Sequence, residues 1–294
     1  MTIILGGSGY IGRAIRRHFS AVGEPFRVVS RSEINYYDRD ALLAAIRGMQ
    51  AKFLVNAAGY TGKPNVDACE VDKANCLEGN AVLPGIIREA CEAADLPWGH
   101  VSSGCIYSGR RPDGGGFTED DPPNFSFRAG HCSFYSGTKA LGEEILEGAR
   151  NCYLWRLRIP FNHLDNPRNY LTKLLRYDRL LDAENSITHL DELARVCHEC
   201  MTKDVPPGIY NVTNPGSITT REVVELIREH LAPEKEFRFF ESEEEFMKLA
   251  AVTPRSNCVL DTRKLQAAGI EMTPVREAIV QALRDWKPEE VEAG

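Results

Sequence analysis

The first twelve residues limit the fold more than any other part of the chain. "TIIL" (2–5) is a short apolar run that leads directly into "GGSGYIG", which places Gly6, Gly9 and Gly12 three residues apart. A second apolar run, "FRVV" (26–29), follows a stretch in which Ile11, Ile15 and Phe19 recur every four residues before Gly23. That recurrence puts the three side chains on one helical face, and a glycine after the last of them suits a helix C-terminus. Strand, glycine turn, helix and strand make a βαβ unit. Glycines at such a turn let the backbone approach a pyrophosphate held at the helix N-terminus.

The alternation continues. Helices are predicted at "RDALLAAIRGM", around "LEGNAVLPGIIREACEAA" and at "YSGTKALGEEILEGA", with strands at "KFLVNAAG", "WGHVSS" and "CYLWRLR". Strands alternating with helices imply a parallel sheet covered on both faces, an α/β doubly wound Rossmann fold. A Gly- and Pro-rich stretch, 108–131, interrupts the pattern, and a loop of that length in a compact domain is often functional. "SITHLDELARVCHECM" reads as strand then helix, and from "PPGIYNV" onward the pattern is mixed. The expected division is a Rossmann domain over 1–159 plus about 180–204, and a smaller C-terminal α+β substrate lobe over 160–179 and 205–294.

A chain of 294 residues buries an ample core without metals or disulfides. Its nine cysteines are an odd number scattered through apolar contexts, which suits a reducing, cytoplasmic setting. The N-terminal apolar run is too short for a signal peptide, and no later segment is long enough to span a membrane. A net charge of −7 argues against a nucleic-acid surface, so the expected partner is a small molecule. "ESEEEF" (241–246) reads as a solvated acidic face. "CHEC" puts Cys197 and Cys200 on one helix face without a second pair, so burial rather than a metal is expected.

The end of the second strand, "VVSRS", lacks the acid that often binds ribose hydroxyls, and offers Ser30 and Arg31 instead. A guanidinium there suits a 2′-phosphate, so NADPH is expected, with NADH as the alternative. Asp38 is placed either to meet the adenine or to cap the next helix. Tyr10 and Ile11 between the glycines, and Ala57, Ala58 and Gly59 after the third strand, complete the expected cofactor set.

"FYSGTKA" puts Tyr135 and Lys139 four apart, on one face of a helix. An ammonium beside a phenol lowers the phenol's pKa and makes it a general acid usable near neutrality. Ser103, ending a strand, is placed to hold the same carbonyl oxygen.

The glycine triplet, the strand-end serine and the Tyr-Lys pair together resemble the extended short-chain dehydrogenase/reductase superfamily. "LVNAAGYTGKPNVDACE", "GCIY", "RLRIPFNHLDNPRNYLTKLLRY", "GIYNVTNPG" and "PRSNCVLD" look like the nucleotide-rhamnose synthases of plants and large viruses, which are 3,5-epimerase/4-reductases. More distantly, the chain is similar to dTDP-4-dehydrorhamnose reductase. The resemblance implies conversion of a UDP- or dTDP-linked 4-keto-6-deoxyglucose to the L-rhamnose derivative. Inversion at C3 and C5 must precede reduction, because the C4 ketone is what acidifies the neighbouring protons. By resemblance, Ser103, Tyr135 and Lys139 serve reduction, Cys105 and Lys173 exchange protons with the sugar, and His163 competes with Lys173 for that role. Asn169 and Arg255 are candidates for the sugar and the diphosphate, with an interlobe ion pair as the other reading of Arg255. One departure is a segment before Tyr135, about 126–132 and including His131 and Cys132, that is longer than the family pattern. Two other functions stay open: a 4-dehydrorhamnose reductase without epimerase activity, and a non-catalytic NADP-binding regulatory subunit. A homodimer is expected only by analogy with the superfamily.

Overall fold

The computed structural model describes residues 1–63 and 65–289. Five strands follow the predicted order: β1 (Thr2–Leu5), β2 (Phe26–Val29), β3 (Phe53–Asn56), β4 (Trp98–Ser103) and β5 (Cys152–Leu157). They lie in one parallel sheet in the order β2-β1-β3-β4-β5, with a sixth strand, Gly208–Asn211, paired to β5 at the edge. Winding reverses between β1 and β3, so the crevice for a ligand opens at the carboxyl ends of these strands.

Alternation along each strand supplies the two faces of the sheet. Ile4, Val55 and Trp155 join Ala14, Ile15 and Phe19 of helix α1 (Tyr10–Val22) and the helix Leu190–Thr202 in one core. Ile3, Leu5, Leu54 and Leu154 face the other way, onto helix α2 (Arg39–Gly48) and the helix Leu83–Ala93. Gly23, at a φ of 71°, ends α1 as predicted. A third core gathers Phe161, Leu171, Leu174, Val223, Ile227, Ile279 and Leu283 under the helices Tyr170–Arg176, Thr220–His230 and Val275–Arg284.

The boundary expected at residue 205 needs correction. Tyr210 and Val212, and further on Leu265, Ile270 and Met272, pack in the core of the large sheet. "GIYN" is short and lies in a Pro- and Gly-rich context, so its pairing with β5 was not evident from local pattern. The tail of the expected lobe, 290–294, lies outside the described residues.

The 108–131 stretch is a loop, but a pinned one. Gly109 bridges Cys258 and Phe117 bridges Leu260, while the Phe117 ring stacks on Tyr107 at 4.6 Å. The longer segment before Tyr135 lies against the helix Phe134–Ile145: Phe127 fills the space a side chain on Gly137 would need, and Arg128 pairs with Glu144. His131 is exposed and Cys132 half-buried. Cys197 and Cys200 are buried in the first core, as expected of the "CHEC" pair. The acidic run begins a short helix, Glu243–Leu249, capped by Ser242, with Glu243 and Glu244 exposed. Among the described residues, no helix is long and apolar enough to cross a membrane.

Candidate active site

Two glycines shape the first half of the site. Gly6 sits at a φ of 72°, and a Cβ there would meet the backbone of Ala57 and Ala58 within 2.7 Å. A Cβ on Gly12 would come 2.2 Å from the Gly6 carbonyl oxygen. The turn after β1 therefore nests against the end of β3 and the first turn of α1 at distances only glycine permits. Gly9 is the N-cap of α1 and has no side chain to cap the N–H groups of Tyr10, Ile11 and Gly12. Uncapped N–H groups at a helix N-terminus favour an anion.

A groove of ≈ 500 Å³ runs from this turn, lined by Gly6, Gly9, Arg31, Tyr37, Ala58 and Glu78 among others, with Ala57 and Gly59 also in its wall. Arg31 lies over the Tyr37 ring at 4.2 Å. A cation braced on an aromatic ring at the end of β2, with no acid in "VVSRS", suits a dinucleotide carrying a 2′-phosphate. Asp38 behaves as a cap: its carboxylate accepts from the N–H groups of Asp40 and Ala41. Both bonds go to Oδ1, so the helix-capping reading of Asp38 is the one with an observed contact. Tyr10 donates to Asn162 Oδ1 at 3.3 Å, and burial, with Asp191 and Glu289 adding to it, pushes its phenol up.

β4 continues three residues past the pairing of His100 with Asn56 and so carries Ser103 beyond the end of β3. A single 3-10 turn, Gly104–Ile106, follows, and Ser103 Oγ accepts from Cys105 N at 3.2 Å. Tyr135 and Lys139 are on the first turns of the helix Phe134–Ile145, capped by Ser133. Cys105 is buried in a small cluster with Ile106, Tyr107, Phe117, Ala140, Cys258 and Leu260, against which Tyr135 packs. Ser103, Cys105, Tyr135 and Lys139, far apart in sequence, are thus brought to one place.

The electrostatics differ from the expectation. Burial pushes the Tyr135 phenol well up, Cys105 and Cys69 add to the shift, and the Ser103 hydroxyl opposes it. Lys139 is buried, its own pKa is lowered by that burial, and Nζ donates to the Val101 carbonyl oxygen at 3.2 Å. The lysine is thus held to the sheet rather than spent on acidifying the phenol, and desolvation of the phenolate wins. The Cys105 thiol is also pushed up by burial, with the Ser103 hydroxyl, Arg158, the Ser136 hydroxyl and Lys139 pulling the other way.

Lys173 lies on the helix Tyr170–Arg176, and among the described residues nothing bonds to its Nζ. Burial first, and then the charge of Arg168, lower its pKa. Arg168 donates to Thr61 Oγ1 at 3.2 Å and to the Gly62 carbonyl oxygen at 2.8 Å, so this end of the helix reaches the loop after β3. His163 is tied elsewhere, with Nδ1 3.4 Å from Asp191 Oδ2.

Two substrate candidates turn out to be engaged. Asn169 is fully buried and caps its helix: Oδ1 accepts from Leu171 N, and Nδ2 donates to the carbonyl oxygens of Asn162 and Leu164 and to Asn162 Oδ1. Both Nδ2 hydrogens are taken and the side chain is fully buried, so in this arrangement Asn169 holds the start of the helix. Arg255 makes the other expected contact, a two-pronged bond to Asp67 at 2.6 and 2.7 Å. Burial raises the Asp67 carboxyl, but the Arg255 bond outweighs it and the net shift is downward.

Sequence reasoning missed the residues that fix the helix Phe134–Ile145. Glu143, one turn after Lys139, bonds Arg156 Nη2 at 2.7 Å in an almost completely buried pair, and Ser102 Oγ donates to it at 2.6 Å. Asn80 bonds both the main chain of Tyr60 and Thr138 Oγ1, which ties the helix to the groove wall. The repeat Tyr135, Lys139, Glu143 at four-residue spacing was the available signal for Glu143. Asn80 lies on a widened helical turn, Glu78–Val82, that leaves no such trace.

Known proteins match the chain along nearly its whole length. The family model described as the RmlD substrate binding domain matches residues 1–287. A bifunctional dTDP-4-dehydrorhamnose 3,5-epimerase/dTDP-4-dehydrorhamnose reductase from Arabidopsis thaliana is 36% identical over 284 residues, 95% of this chain and 91% of that protein. A trifunctional UDP-glucose 4,6-dehydratase/3,5-epimerase/reductase from the same plant is 34% identical over 284 residues, and the match takes in 41% of that longer protein. Among solved structures, a UDP-rhamnose synthase from Acanthamoeba polyphaga mimivirus superposes with a TM-score of 0.89 at 26% identity, covering 97% of this chain and 98% of that one. A dTDP-4-dehydrorhamnose reductase from Bacillus anthracis, in complex with NADP, gives 0.80 at 17% identity, with 97% of each chain covered. A match along nearly the whole chain, with relatives above 30% identity, shows that the chain belongs to the RmlD substrate binding domain family.

Proposed function

We propose that this protein converts a pyrimidine nucleotide-linked 4-keto-6-deoxy-D-glucose to the L-rhamnose derivative, first inverting C3 and C5 and then reducing C4 with NADPH. The observation that carries this reading is the placement of a buried thiol, Cys105, against the serine and tyrosine of a reductase site. A reductase alone has no use for a second proton-transfer group there. Two plant relatives named for both the 3,5-epimerase and the reductase activity, and a viral protein named as a UDP-rhamnose synthase, support it.

The glycine turn and Arg31 hold the cofactor, which supplies a hydride when bound. Lys139, anchored to β4, would bond its ribose, and Ser103 and Tyr135 would hold the C4 oxygen of the sugar. During inversion the same two hydroxyls bear on an enolate oxygen, where fixed donors are worth most. Cys105 and Lys173 pass protons to and from the ring carbons on opposite faces. Burial raises the thiol and lowers the ammonium, in each case disfavouring the charged form and so the resting charge on both groups. All nine cysteines are free thiols, which suits a reducing compartment.

Incubation with the 4-keto-6-deoxyglucose nucleotide in deuterated water without NADPH tests the reading. Deuterium at C3 and C5 is the expected result. A product free of deuterium, from protein that still reduces a pre-epimerised substrate, makes the protein a reductase only. Undetectable turnover with NADPH binding retained favours the regulatory subunit.

A further inference from the structure

Arg158 follows β5 and is 4% exposed, yet it has no carboxylate partner among the described residues. Arg156, two residues earlier on β5, shows the usual solution, a buried glutamate. Arg158 instead bonds neutral acceptors: Nη1 donates to Ser256 Oγ at 2.9 Å, and Nη2 to the Ser256 carbonyl oxygen at 2.8 Å and to Asn185 Oδ1. Its Nε is buried without any partner. A guanidinium taken out of water without a counter-charge is costly, so a negative charge that forms within its reach is strongly favoured.

The side chain runs beneath the turn that carries the thiol. Arg158 Cγ and Cδ lie within 3.0 Å of where a Cβ on Gly104 would stand, immediately before Cys105. Several other groups face Cys105. Tyr135 and Lys139 come from the helix Phe134–Ile145, with the Ser136 hydroxyl beside them, and Cys132 comes from the segment before that helix. Cys258, whose Sγ donates to the Gly104 carbonyl oxygen at 3.3 Å, comes from the chain opposite. Of these only Arg158 and Lys139 are cations, and Lys139 is committed to the Val101 carbonyl and, by the reading above, to the ribose.

We propose that Arg158 is the fixed counter-charge for the Cys105 thiolate, a positioning residue that keeps the sulfur competent for proton transfer. This rests on the assignment of Cys105 to the epimerase step. When the thiol protonates a ring carbon, the S–H bond breaks, a C–H bond forms with the electron pair of the enolate, and sulfur is left negative. In the reverse direction the thiolate takes the proton and the pair returns to the enolate oxygen. Either way the charge on sulfur forms in the turn that the Arg158 stem underlies, and the guanidinium is already fixed in place to oppose it.

The rate of iodoacetamide alkylation at Cys105, read peptide by peptide in a mass spectrometer across pH, reports its thiolate fraction. Arg158→Gln is expected to slow it about tenfold below the thiol midpoint, equivalent to about one pH unit. Arg158→Lys, which keeps the charge, stays within about threefold of wild type. Asn185→Asp offers Arg158 an isosteric carboxylate and is expected to slow alkylation in the same direction, so it serves if Arg158→Gln does not fold. Wild-type alkylation of a folded Arg158→Gln or Asn185→Asp protein overturns the proposal. Failure of the underlying reading looks different: Cys105→Ala would retain deuterium exchange, whatever the alkylation profiles.

Discussion

The two helices that carry the proposed acid-base groups are built in contrasting ways. Phe134–Ile145, with Tyr135 and Lys139, is twelve residues long and bonded into the sheet by the buried Arg156–Glu143–Ser102 network and by Asn80. Tyr170–Arg176, with Lys173, is seven residues long and belongs to the third core, held at its start by Asn169. Lys139 is bonded to the main chain, whereas Lys173 Nζ has no bond at all among the described residues. The contrast separates two tasks. Hydride transfer needs fixed geometry at one carbonyl, and a group tied on several sides supplies it. Proton exchange at two different carbons needs a group that reaches both, and an unbonded lysine on a short helix suits that.

Substitutions probe the contrast from its rigid end first. Tyr135→Phe removes the proton donor and is expected to lower reduction by about 10²–10⁴-fold, measured as NADPH oxidation, while the enolate loses one of its two hydroxyl donors and exchange falls less. Lys173→Met is expected to cut exchange at both C3 and C5 by a comparable factor. Because Lys173 makes no bond, urea unfolding of that variant should stay within about 0.5 kcal/mol of wild type. If reduction of a pre-epimerised substrate falls equally, the division between the helices is wrong.

Glu143→Gln tests the anchoring. It leaves Arg156 as a buried charge facing a neutral amide, with an expected stability loss of about 3 kcal/mol, checked by urea unfolding. If stability is unchanged, the network does not hold the helix.

The smallest effect is on pH dependence. His100 is buried in β4, its pKa held well below the ordinary histidine value by burial and then by Lys139. Asn56 Oδ1 accepts from Ala58 N and its Nδ2 meets His100 Nδ1 at 2.8 Å, so that ring nitrogen is an unprotonated acceptor. The folded protein keeps His100 neutral while the unfolded chain protonates it below about pH 6.5. Its contribution is therefore fully present above that pH and is lost as pH falls, by up to about 1.4 kcal/mol per unit. Denaturant midpoints at pH 7.5 and 5.5 measure it, and replacement of His100 by Gln should flatten the dependence.

The legibility of this molecule in its sequence follows the same division. The βαβ opening, the sheet and the Tyr-Lys face were readable because they rest on periodicity and on glycine at fixed offsets, which are local properties. Asp38 and Asn169 were not separable in sequence, because a helix cap and a ligand contact use the same residue types; both side chains are seen to cap helices. Arg255 was ambiguous for a similar reason, since its partner Asp67 is 188 residues away. Arg156, Arg158 and Asn80 gave no local sign, because what defines each is a partner from a distant segment. The strand Gly208–Asn211 was placed in the C-terminal lobe on the same grounds, since its partner β5 is distant in sequence.

The central claim is that one site contains two separable proton-transfer systems sharing Ser103 and Tyr135. Its most direct test is Cys105→Ala, assayed with 4-keto-6-deoxyglucose nucleotide in deuterated water and, separately, with the epimerised 4-ketosugar and NADPH. The account predicts loss of deuterium exchange at C3 and C5 with reduction kept within about threefold, since Cys105 takes no part in placing the hydride. Retention of exchange at the wild-type rate would contradict it.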